Sequence, residues 1–102
     1  MRLRPYYFRR WLESFPAGHI VGYSWNPLHC PLSAWLRELY GEDRVWVTKE
    51  SFRVNGRWRK HPRWMKLFVD KVDALSESPT PITKEMALAI FREVMKEERN
   101  AR

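Results

Sequence analysis

His29-Cys30-Pro31 is the one place in this 102-residue chain where a nucleophile stands at the start of a predicted helix. A thiol there feels the positive end of the helix dipole and free N–H groups, both of which favour thiolate. His29 beside it could assist. A reactive thiol, for redox or thiol-enzyme chemistry on Cys30, is therefore one reading. The set is incomplete, since no second cysteine can resolve a disulfide and residues adjacent in sequence often point apart. A buried or merely capping cysteine fits the same residues.

Other chemistry finds less support. His19, His29, His61 and Cys30 show no CxxC or HxxxH spacing, so no metal site is expected. A Gly-rich phosphate loop, a GxSxG elbow and an HExxH motif are all missing. Asp70 and Asp73, three residues apart, would share a helix face, which reads as a solvated one. No catalytic residue and no cofactor is assigned, and an enzyme is the least favoured function class.

The stronger signal is electrostatic. Residues 44–66 carry eight bases against Glu50 alone, which equals the net charge of +7 for the whole chain. Within this segment, 52–64 interleaves bases with aromatics: Phe52, Arg53, Arg57, Trp58, Arg59, Lys60, Arg63, Trp64. Arg grips phosphate bidentately or stacks on exposed bases, and a two-stranded ribbon is narrow enough for the major groove. Alternation suggests one face carrying Arg53, Arg57 and Arg59, and another carrying Phe52, Val54 and Trp58. Arg53, Arg57, Trp58, Arg59, Lys60 and Arg63 are the candidate nucleic-acid contacts, with Trp58 a platform if exposed. Arg2, Arg4, Arg9 and Arg10 would be auxiliary. A solvated sheet face bearing Arg and Lys against edge aggregation, or a patch for an acidic protein, explains the same charges.

The elements that must hold these residues follow from periodicity. Phe8, Trp11, Leu12 and Phe15 make one apolar stripe, opened by Pro5 and stopped by Pro16 and Gly18, which predicts a helix over 5–15. Residues 19–25 read as a short strand or an ordered loop. Leu32, Trp35, Leu36 and Leu39 repeat the helical spacing between Pro31 and Gly41, so a second helix covers 31–40 with Cys30 as its N-cap. Over 44–60 the period changes to that of strands, and Asn55-Gly56 suits the positive φ of a type I′ turn. A three-stranded antiparallel meander is expected there. A third helix follows Pro62, with Trp64, Phe68, Val72 and Leu75 as its apolar positions and Leu67 alongside. Residues 76–81 form a polar, proline-broken linker. Thr83 caps a fourth helix carrying Met86, Ala87, Ile90, Phe91, Val94 and Met95, whose charged end, 96–102, is expected to fray.

The expected fold is thus α+β: two N-terminal helices, a three-stranded meander and two C-terminal helices, the helices packed on one face of the sheet. One domain over 1–102 suits the length. A chain this short needs bulky core residues, and 44% hydrophobic content with six Trp supplies them. One cysteine, and no apolar run long enough for a signal or a membrane span, suggest a cytoplasmic protein that does not enter membranes. The expected function is a small basic accessory protein binding nucleic acid through an Arg-rich hairpin. The alternative is a protein-interaction module or inhibitor that uses the same patch or exposed aromatics. A homodimer through a spare apolar helix face is possible.

Overall fold

The computed structural model describes residues 3–100. Arg2 and the last two residues, 101–102, lie outside the described residues. Helix α1 (Pro5–Glu13) starts on Pro5, whose missing N–H costs nothing in a first turn. It ends two residues earlier than its apolar stripe, because the Ser14 hydroxyl donates to the Trp11 carbonyl at 2.6 Å and turns the chain. Phe15, freed from the helix, packs edge-on against Trp11 and stacks on His19.

Strand β1 (Ile20–Tyr23) leads to helix α2 (Pro31–Tyr40), capped at its start by Cys30 and at its end by Gly41 in the left-handed region, φ 67°. The meander follows as β2 (Trp46–Val47), β3 (Ser51–Val54) and β4 (Arg57–Lys60), paired antiparallel in that order. Asn55 and Gly56 join β3 to β4 with φ of 54° and 74°, the two positive values that a type I′ turn demands. Helix α3 (Arg63–Asp73), strand β5 (Pro81–Thr83) and helix α4 (Lys84–Asn100) follow. Leu75, expected on the apolar stripe of α3, lies beyond its Ala74 cap and is exposed, because the helix ends before the stripe returns to the core. The Thr83 hydroxyl caps α4 by accepting from the Met86 N–H at 3.2 Å.

The architecture is α+β with helices against the meander, and it contains one further sheet. Part of the polar segment after α3 forms β5, which pairs antiparallel with β1 through Ile20↔Thr83, Gly22↔Ile82 and Tyr23↔Pro81, with a bulge between Ile20 and Gly22. A three-residue strand opened by proline has no readable alternation, which hides it in the sequence.

The core gathers around Phe8, wholly buried in α1. Its ring meets Trp35 of α2, Trp64 and Phe68 of α3 and Phe91 of α4, with centroids 5.0–5.9 Å apart. One aromatic residue thereby ties all four helices together, in the offset and edge-on geometries that ring quadrupoles favour. Phe52 and Val54 of β3 and Val47 of β2 add the sheet's inner face. This leaves the outer face to solvent.

Candidate nucleic-acid interface

The pairing of β3 with β4 decides which side chains share a face. The register is Ser51↔Lys60, Phe52↔Arg59, Arg53↔Trp58 and Val54↔Arg57. Directly opposed residues project to the same side of an antiparallel pair. A two-residue turn pairs even positions of β3 with odd positions of β4. The expected all-Arg face is therefore corrected: Arg57 and Arg59 lie on the side of Phe52 and Val54, whereas Trp58 lies on the opposite side beside Arg53.

The third strand extends this outer face. Trp46 of β2 pairs with Arg53. Trp46, Arg53 and Trp58 thus form one row across three adjacent strands, an arginine between two indoles, with Lys60 and Ser51 alongside. Strands sit about 4.8 Å apart, so the two indoles are anchored roughly 10 Å from each other. Both are open to solvent: Trp46 is 42% and Trp58 54% exposed, although Trp is highly buried on average.

Around this row the cations are free. Strand β4 is an edge strand, and all four of its residues are exposed. Arg53, Arg57, Arg59 and Lys60 make no ion pair among the described residues. Arg63 stands apart: it opens α3 and pairs with Glu98 of α4 at 3.6 Å. Lys49 and Lys66 are likewise paired, with Asp70 and Glu50. The Asn55 amide, turned so that its nitrogen faces the carboxylate, donates to Glu42 at 2.6 Å and ties the hairpin tip to the end of α2. Arg9 and Arg10 of α1 gather instead over the Tyr6 ring, at 5.5 and 5.8 Å. Arg4 is exposed ahead of that helix.

Cys30 takes the capping role. Its Sγ accepts from the Ser33 N–H at 3.4 Å, and burial pushes the thiol up to about 11, against the lowering effect of that bond. A thiol so placed stays protonated at neutral pH, so the helix-start effect loses to desolvation. His29 is exposed and makes no side-chain hydrogen bond to Cys30 among the described residues. No group of three or more potential metal ligands converges among the described residues, and none of their helices is long and apolar enough to cross a membrane.

Trp46 was the residue that sequence reasoning missed. Its signal was available only in part: Val45 and Val47 flank it with inward-facing spacing, but which strand it joins depends on the register. Comparison with protein-family models, with curated proteins and with solved structures finds no match.

Proposed function

We propose that the protein binds single-stranded nucleic acid on the outer face of the β2–β3–β4 sheet. The observation that carries this reading is the exposed row Trp46, Arg53, Trp58. Unstacked bases lie flat on indole rings, and such stacking is tolerant of sequence because every base has a π-face. Arg53 between the rings is suited to stack or to reach a phosphate, and Lys60 on the same face would follow the backbone, while Arg57 and Arg59, which project to the other side, would reach it around the open edge of β4. Two bulky indoles on an exposed sheet face favour bases splayed out of a duplex over a ribbon inserted into a groove.

The test is anisotropy with labelled dT and U oligonucleotides and with duplexes of matched length, across a salt series. Trp58→Ala is expected to weaken single-strand binding by about 1–3 kcal/mol with the salt slope unchanged. Arg57→Ala with Arg59→Ala is expected to flatten the log–log salt slope by about 1.4, at roughly 0.7 per phosphate contact on single strands. Failure to bind any oligonucleotide at low salt overturns the proposal and transfers the surface to an acidic protein partner.

A further inference from the structure

Behind the sheet lies a cavity of about 470 Å³, between β2, the start of α2 and the last turns of α3. That volume falls within the range of small-molecule sites, and the walls are mostly apolar, with Trp25, Leu32, Val47 and Phe68 among them. Its charged lining residues are Lys49, Asp70 and Asp73, with Lys49 paired to Asp70 and the two aspartates one turn apart on α3. The i, i+3 aspartates sit on the face expected, Asp70 exposed and Asp73 half-buried, and that face borders the cavity.

Two features of the chain are unfavourable unless something uses them. Asp70 and Asp73 occupy the last turn of α3, where the negative end of the helix dipole disfavours carboxylates. Trp25 adopts φ 54°, a left-handed conformation that bulky residues rarely take. It is held there by its N–H donating to Asp73 Oδ1 at 2.9 Å and by its indole Nε1–H donating to the Ser76 carbonyl. Strain of this kind persists where the surroundings over-determine it, and it clusters at ligand clamps.

We propose that this cavity binds a small aromatic or aliphatic amine, its apolar body against Trp25 and Phe68 and its ammonium between Asp70 and Asp73. Two carboxylates face one lysine, so the rim is net negative. Lys49 spans to Asp70 at 3.1 Å, but both side chains are well exposed, 66% and 44%, and such pairs yield readily to a competitor. The start of α2 also borders the cavity and by itself would favour an anion. Its Ser33 N–H is already taken by Cys30 Sγ. The negative field reaches the apolar wall, since the Asp73 charge adds to burial in holding the Cys30 thiol protonated. This site is independent of the outer face: on β2, Trp46 faces one side and Val47 the other.

The probes are tryptamine, indole and indole-3-acetate, which share a ring and differ in charge, titrated into the full chain while backbone amide resonances are followed. Tryptamine is expected to shift Trp25, Val47 and Ala74 at several-fold lower concentration than indole, with indole-3-acetate weakest. Asp70→Asn with Asp73→Asn keeps the acceptor for the Trp25 N–H, and should equalise tryptamine and indole. Lys49→Gln should tighten tryptamine alone by removing its competitor. Ala74→Phe, at an exposed lining position, should weaken all three. The proposal is overturned if tryptamine leaves these amides unmoved at millimolar concentration, if indole-3-acetate binds as tightly, or if the double Asn variant keeps the preference.

Discussion

Arg53 and Trp58 face each other across the β3–β4 ladder on the solvent side of the sheet, while Val54, one residue on, faces Arg57 on the other side. This alternation separates binding from stability. Trp58→Ala removes an exposed ring and should leave unfolding free energy within about 0.5 kcal/mol of the parent. Val54→Ala removes a buried side chain and should cost about 2 kcal/mol, at the low end for an aliphatic truncated in a core. Urea unfolding of the two variants checks this. Equal losses would mean that the Trp58 ring is packed, and the outer-face platform would fall with it.

His61 supplies a pH dependence. It is buried, stacks on Phe52 and donates Nε2–H to the Thr48 carbonyl at 2.7 Å, which leaves Nδ1 buried and without a partner among the described residues. Desolvation lowers its pKa below the ordinary 6.5, and nearby Lys66 adds to this, against the Thr48 bond and Glu50. The neutral ring is the one that folds. Its contribution to stability is complete above about pH 6.5 and is lost as pH falls through the lowered folded value, where the unfolded chain binds the proton more readily. Denaturant unfolding between pH 7.5 and pH 5 should show this slope. In His61→Leu the protein should be less stable at every pH, yet flatter over this window. An undiminished slope would assign the acid sensitivity to another group.

Gly22 predicts a steric result. A Cβ there would lie 2.5 Å from the Pro31 nitrogen, 2.7 Å from the Cys30 carbonyl carbon and 2.8 Å from the His29 oxygen. All three are backbone atoms at the entry to α2, which β1 crosses closely. Gly22→Ala should therefore destabilise by about 3 kcal/mol, the upper end for overpacking, because no side chain can swing aside. Thermal unfolding measures it, and a shift of only a degree or two would show that β1 can move off the helix.

Phe8 predicts the largest loss. Phe8→Ala should cost about 3–5 kcal/mol. For a domain holding roughly 5–15 kcal/mol in total, that brings the chain near its threshold. Phe8→Leu, which keeps most of the volume, should cost under about 1.5 kcal/mol. Comparable midpoints for the two variants would contradict Phe8 as the common contact of four helices.

Local chemistry was enough to determine much of this protein from its sequence. The stripe from Leu32 to Leu39 between Pro31 and Gly41 defines α2 to the residue, and Asn55-Gly56 defines the hairpin, because caps and positive-φ turns depend on neighbours along the chain. The concentration of charge over 44–66 is likewise a property of sequence. Tertiary structure alone decided what those elements face. The pairing register put Trp58 beside Arg53 and brought in Trp46; the β1–β5 pair joined segments some sixty residues apart. Packing of β2, α2 and α3 turned Asp70 and Asp73 toward a cavity. Each of these depends on long-range contacts, which periodicity within one segment does not encode.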